Sequence, residues 1–294
     1  MKHTHDYKVV DVFTTKPLAG NPVAVVSDAD GLDTATMQAI AAWTNLSETT
    51  FVLKPTTPAA DYRLRIFTPR SELPFAGHPT LGSAHAVLEA GQVTLREGGR
   101  LIQQCDVGLV EVTVVEGAAG RELTFTLPSA SVTPMSSADV TELKAILDCK
   151  VAADVEPAIV NVGPIWLILP MTDAATVLAL KPDFARLAAL ERRLGVTGLT
   201  VFGRHPSESE CDIEVRTFAP SCGVEEDPIC GSGNASVAAF QWARGLLPVG
   251  GGDYVASQGS CVGRSGLVKV KVTAGGQVRV GGSCITCIDG QLEL

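Results

Sequence analysis

Three segments carry side chains able to move a proton or hold an anion. In Asn45-Leu-Ser-Glu-Thr-Thr-Phe-Val-Leu53 a single carboxylate, Glu48, stands just before an apolar run. Desolvation beside a buried strand raises a carboxyl pKa, the tuning that a general acid/base near neutral pH requires. A second reading stays open for it, a capping glutamate held by nearby amides. His78 lies in Phe75-Ala-Gly-His-Pro-Thr80 and Asp227 in Glu226-Asp-Pro-Ile-Cys-Gly-Ser-Gly233, each directly before a proline suited to a helix's first turn. The free N–H groups and dipole of such a terminus attract anions. Amides at Gly77, Gly82, Gly231 and Gly233, with His78, Asp227 and Ser232 beside them, therefore suit a carboxylate. The plainer alternative is that His78 and Asp227 only cap turns.

The elements that must position these residues occur twice. RIFTPRSELPFAGHPTLGSAHAVLEAG runs from Arg65 to Gly91, and VRTFAPSCGVEEDPICGSGNASVAAFQWARG from Val215 to Gly245. Pro79, Gly82 and Ser83 match Pro228, Gly231 and Ser232 at a shift of 149 in a chain of 294 residues. At that shift His78 faces Asp227, whereas Glu48 faces Thr197 and has no acidic twin. Two similar halves facing each other across a cleft is the expected arrangement, and matched sites in Gly-rich surroundings favour binding over capping.

Alternation of polar and apolar residues predicts strands at Tyr62–Phe67 and Asp212–Phe218. Further strands are expected at 8–13, 22–26, 50–53, 110–115, 122–127, 165–169, 267–272 and 277–280. Thr80–Ala90 and Ile229–Arg244 are apolar on nearly every face, the mark of a buried helix, with Gly91 and Gly245 as stops. Met37–Trp43 and Phe184–Leu194 read as further helices. The fold class expected is α+β, two pseudo-symmetric halves, each a mixed or antiparallel sheet wrapped around its own central helix. The Ser/Pro-rich stretch 128–138 is taken as the boundary. One half then covers 1–127 with a C-terminal strand at about 282–294, and the other 128–281.

Composition narrows the class of partner. The chain is 46% apolar and 19% charged with a net charge of −9, a globular balance. No Lys/Arg cluster offers a phosphate-backbone footprint, so neither nucleic acid nor anionic membrane is expected as a partner. The N-terminus lacks an apolar signal core, and no run approaches the roughly 18–20 apolar residues that span a bilayer. Eight scattered cysteines, at 105, 149, 211, 222, 230, 261, 284 and 287, read as reduced thiols of a cytoplasmic protein. Cys284-Ile-Thr-Cys287 is a lone CxxC in strand-like sequence, read as buried thiols rather than a metal or redox pair. Walker, GxGxxG, HExxH and nucleophile-elbow motifs are missing.

Taken together, DVFTTKPLAGNPVAVV (11–26), NLSETTFV (45–52), FAGHPTLGSAHA (75–86), EDPICGSGNA (226–235) and SQGSCVGRSGLVKV (257–270) are specific. In this combination the chain resembles the phenazine-biosynthesis PhzF-like family over essentially its whole length. That family is similar in fold to diaminopimelate epimerase and proline racemase. The resemblance implies that Glu48 is the acid/base and that His78, Asp227 and Ser232 line the substrate site. It also implies a homodimer and no cofactor. Two departures stand out. Cys230 occupies the place where the family often has Thr, and where the epimerase relatives place one of two catalytic thiols; their other thiol would fall near Leu81, which cannot act. Cys222 is unusual in its Ala-Pro-Ser-Cys-Gly setting, and no catalytic part is expected of it.

The leading expectation is a cofactor-independent isomerase in which Glu48 moves a proton between carbons of a small carboxylate-bearing substrate. A Glu48/Cys230 epimerase or racemase of an amino or hydroxy acid is the second. A catalytically idle ligand-binding homologue is the third.

Overall fold

The computed structural model describes residues 4–117, 120–127, 129–148, 152 and 155–294. Its chain divides into two compact units, Met1–Thr126 with Gly281–Leu294, and Leu127–Val280.

The first unit opens with β1 (Thr4–Val12) and β2 (Asn21–Val26), followed by α1 (Thr34–Thr44) and β3 (Glu48–Leu53). Then come β4 (Tyr62–Phe67), the short β5 (Glu72–Leu73), α2 (Gly77–Glu89), β6 (Arg100–Cys105), β7 (Gly108–Gly117) and β8 (Gly120–Thr126). β1 pairs antiparallel with β2, β2 runs parallel to β3, and β3 pairs antiparallel with β4. β4 runs parallel to β6, which pairs antiparallel with β7. Every residue of α2 from Gly77 to Val87 is buried, because the helix packs on β1, β2, β3, β4, β6 and β8 of its own unit. An all-round small and apolar sequence is what such a setting requires. A separate cluster of Val26, Met37, Ile40, Phe51 and Phe67 lies under α1.

The second unit contains β9 (Ser131–Pro134), α3 (Ser137–Leu147), β10 (Ala158–Asn161) and β11 (Ile165–Pro170). It continues through α4 (Ala174–Ala179), α5 (Phe184–Leu194), β12 (Gly198–Arg204), β13 (Ile213–Ala219) and β14 (Val224–Asp227). Its last elements are α6 (Gly231–Ala243), β15 (Gly252–Gln258), β16 (Gly266–Val272) and β17 (Val278–Glu293), the last running on into the first unit. Here the pairing sequence repeats. β10–β11 is antiparallel, β11–β12 parallel, β12–β13 antiparallel, β13–β15 parallel and β15–β16 antiparallel. α6 is buried along nearly its whole length, as α2 is.

The duplication therefore holds element by element, but its offset is not constant. Thr49 pairs with Phe67 in the first unit and Leu199 with Phe218 in the second. Counting back one residue makes Gly198, not Thr197, the counterpart of Glu48. The 13-residue helices start at Gly77 and Gly231 and are followed by left-handed Gly91 and Gly245, a spacing of 154. Loops of different length between strand and helix account for the drift. Pro79 thus sits inside α2, whereas Pro228 precedes α6.

The units divide at Thr126/Leu127, beside the expected boundary stretch 128–138. From Ser131 it forms β9, and Ser136 then caps α3 by accepting the Asp139 N–H; Pro128 lies outside the described residues, as do Met1–His3 and Cys149. The described cysteines are free thiols. Cys284 pairs with Val12 of β1, whereas Cys287 falls at the register irregularity opposite Val9 and Val10.

Candidate active site

In the first unit, α1 ends at Asn45, which takes the left-handed conformation (φ 55°) and turns the chain back; asparagine is among the few side chains that do so readily. Three residues later Glu48 becomes the first residue of β3, paired with Val23 of β2. His78 is the second residue of α2. Its Nε2 lies 3.3 Å from Glu48 Oε2, with the two side chains 7% and 16% exposed. Burial pushes the Glu48 carboxyl up to about 7, opposed by a hydrogen bond from the Ser47 hydroxyl. A carboxyl group so placed exists in both protonation states near neutral pH, and Glu48 is not a helix cap.

The N-terminus of α2 leaves its first N–H groups without intrahelical partners, and Ala76 at the cap has no acceptor side chain. Gly77 is glycine for a packing reason, since a Cβ there would meet the Phe125 ring at 2.8 Å. The same holds more strongly for Gly82. It lies inside the helix, where a Cβ would come within 2.4 Å of Val23 Cγ1, so it is a contact point with the sheet and not an anion-binding amide. Below this turn a buried chain runs from Tyr62 Oη to Gln103 Oε1 (3.2 Å) and from Gln103 Nε2 to Thr80 Oγ1 (3.0 Å), holding the start of α2 to β4 and β6.

In the second unit Asp227 ends β14 and its Oδ1 accepts the Ile229 N–H at 3.1 Å, so this carboxylate does serve a turn. Cys230 is the N-cap of α6, and its Sγ accepts the Gly233 N–H at 3.3 Å, which removes that amide from anion binding. Gly233 is also tight against Thr217 and Thr200. Burial pushes the Cys230 thiol well above its ordinary range, assisted by the nearby Asp227 charge. Counted from the caps, the residue of α2 matching Cys230 is Ala76, not Leu81; neither can act as a thiol. Gly231 and Ser232 open α6, and Ser232 Oγ accepts from Trp166 Nε1 at 3.1 Å. Gln258 ties the segment together: its Oε1 accepts from Cys230 N and Asn234 Nδ2, and its Nε2 donates to the Asp227 carbonyl.

Glu48, His78 and Gly77 are thus brought together in one unit, and Asp227, Cys230, Gly231 and Ser232 in the other. Sequence reasoning missed Ser47, Trp166 and Gln258. Ser47 lies inside the motif that singled out Glu48, but Trp166 sits in an ordinary apolar strand with nothing to mark it. Among the described residues no group of three His, Cys, Asp or Glu side chains is arranged to hold a metal ion, and no helix is long and apolar enough to cross a membrane.

Comparison with known proteins agrees with this architecture. The model of the phenazine biosynthesis-like (PhzC-PhzF) family matches residues 10–290. Antisense-enhancing sequence 1 of Schizosaccharomyces pombe is 41% identical over 98% of each chain. The trans-2,3-dihydro-3-hydroxyanthranilate isomerase of Pseudomonas fluorescens is 34% identical over 99% of this chain and 100% of its own. Among solved structures, a Pseudomonas aeruginosa protein described as a predicted epimerase superposes with a TM-score of 0.80 at 28% identity, covering 98% of this chain and 99% of that one. The chain belongs to the phenazine biosynthesis-like family and is an isomerase of the PhzF type.

Proposed function

We propose that the protein is a cofactor-independent isomerase that moves a proton between two carbons of a small carboxylate-bearing substrate, with Glu48 as the proton carrier. The observation that carries this reading is the buried Glu48 beside His78, its carboxyl raised to about 7. As a carboxylate Glu48 takes a proton from an activated C–H, and the electron pair passes into the substrate's own unsaturated system. The resulting carboxylic acid exchanges its proton with solvent and delivers one at another carbon, which regenerates the starting state and leaves no net redox change. His78, with its Nε2 3.3 Å from the Glu48 oxygen, steers proton transfer. The start of α2 at Gly77, together with Asp227, Gly231 and Ser232 at the start of α6, is assigned to the polar groups of the substrate.

One relative is named for trans-2,3-dihydro-3-hydroxyanthranilate, a cyclic amino acid bearing a carboxylate, which supports a substrate of that class here. Incubation with this compound in D₂O should place one deuterium at a new carbon of the product, at a rate unchanged by EDTA and exhaustive dialysis. Loss of activity on dialysis, restored by a metal or an organic cofactor, would overturn the cofactor-free mechanism. The assignment extends to a cytoplasmic homodimer, which light scattering tests as a mass twice the 30.7 kDa of one chain.

A further inference from the structure

We infer that Trp166 fixes the Ser232 hydroxyl as a hydrogen-bond donor and thereby makes the start of α6 selective for an anionic oxygen over a neutral one. This deepens the assignment of Ser232 to the substrate's polar groups and rests on it.

The two units differ at the start of one strand. Glu48 opens β3 opposite Val23, and its counterpart Gly198 opens β12 opposite Trp166. A Cβ at Gly198 would lie 2.8 Å from Trp166 Cζ3 and 2.1 Å from the Phe218 carbonyl. No side chain fits there, and the indole fills the space. Trp166 is 4% exposed, so its ring is locked by packing, and its Nε1 donates to Ser232 Oγ at 3.1 Å. An indole N–H is a donor only, whereas a hydroxyl can both donate and accept. Ser232 Oγ must therefore accept on the indole side, and its hydrogen must point elsewhere. Among the described residues its other hydrogen-bonding neighbour is Cys230 Sγ at 3.5 Å, a weak acceptor. An oxyanion arriving at the helix terminus is a far better acceptor and takes the O–H. A neutral N–H₂ in the same place offers that O–H no acceptor and finds only the second lone pair of a hydroxyl already accepting from the indole.

Anthranilate and its neutral isostere anthranilamide separate this idea from a merely structural role. Calorimetric titration of both, with wild type, Trp166→Phe, Ser232→Ala and the double variant, gives the preference for carboxylate over carboxamide. Wild type should prefer anthranilate, and Trp166→Phe should cut that preference about threefold to tenfold, the net worth of one hydrogen bond. In the Ser232→Ala background the same change should have no further effect. A preference reduced by Ser232→Ala but untouched by Trp166→Phe overturns the inference and leaves the site assignment standing; a preference untouched by Ser232→Ala, or absent in wild type, overturns both. A second readout does not need the Trp166 variant to fold. The Nε1–H resonance of Trp166, assigned through Trp43→Phe and Trp242→Phe, should move in Ser232→Ala, and an unmoved resonance overturns the inference.

Discussion

His78 Nε2 and Glu48 Oε2 lie 3.3 Å apart, although thirty residues separate them in the chain. One side chain enters from the first position of a strand and the other from the first turn of a helix, so the pair depends on how α2 seats against β3. Glu48 must be ionised to act as a base, and burial raises it to about 7. kcat/KM should therefore rise with pH up to about 7, falling about tenfold per pH unit on the acid side. An acid limb centred near 4.5 would show a solvated carboxylate and remove the argument for tuning.

The same burial makes Glu48 a stability liability with a definite sign. Its native pKa is raised, so between pH 4.5 and about 7 the folded protein keeps a proton that the unfolded chain releases, and stability falls as pH rises through that window. Glu48→Gln removes the ionisation. The stability of this variant relative to wild type should grow by an upper bound on the order of 3 kcal/mol between pH 4.5 and pH 8. Denaturant titrations at the two pH values check this, and a difference that shrinks as pH rises would contradict the burial argument.

Cys230→Ser distinguishes the leading mechanism from the Glu48/Cys230 epimerase. The thiol is buried and held well above its ordinary range, so little thiolate exists near neutral pH to serve as a base. Serine also caps helices well and can accept the Gly233 N–H in place of the sulfur. Turnover should stay within about tenfold of wild type and thermal stability should not fall. A loss beyond about a hundredfold, the low end of acid/base contributions, would promote the thiol.

Gly82→Ala tests the reassignment of this glycine from anion binding to packing. A Cβ there would press on Val23 Cγ1 and Val12 Cγ2, both buried in the sheet. Overpacking of this kind costs about 1–3 kcal/mol, more than alanine's helix propensity returns, about 1 kcal/mol. The melting temperature should drop while KM of the remaining folded protein stays unchanged. A raised KM at unchanged stability would restore Gly82 to the site.

Much of this was legible because the chain states its fold twice. Buried helices announce themselves by all-round apolar faces, and the helix stops at Gly91 and Gly245 are fixed by backbone conformation. A single shift of 149 failed because loops between strand and helix differ in length, so motif letters align where structural positions do not: Pro79 lies within α2, Pro228 outside α6. Glycine identity misled in a related way. Gly82 and Gly233 read as anion-binding backbone, yet each is glycine because neighbouring side chains leave no room for a Cβ. Glu48 stood out because it had no acidic twin, a comparison internal to the sequence. Trp166 and Gln258 act across strand pairings and helix starts, and no local pattern encodes those contacts.

The measurement that tests the central claim most directly is turnover of Glu48→Gln on trans-2,3-dihydro-3-hydroxyanthranilate in D₂O, read beside its affinity for anthranilate and its melting temperature. Glutamine keeps the shape and polar reach of the side chain and removes the proton carrier. Isomerisation and deuterium incorporation should fall together by ~10²–10⁴, the usual contribution of a positioned acid/base, while affinity and folding are retained. A Glu48→Gln protein that still isomerises this compound and incorporates deuterium at near-normal rate would contradict the account.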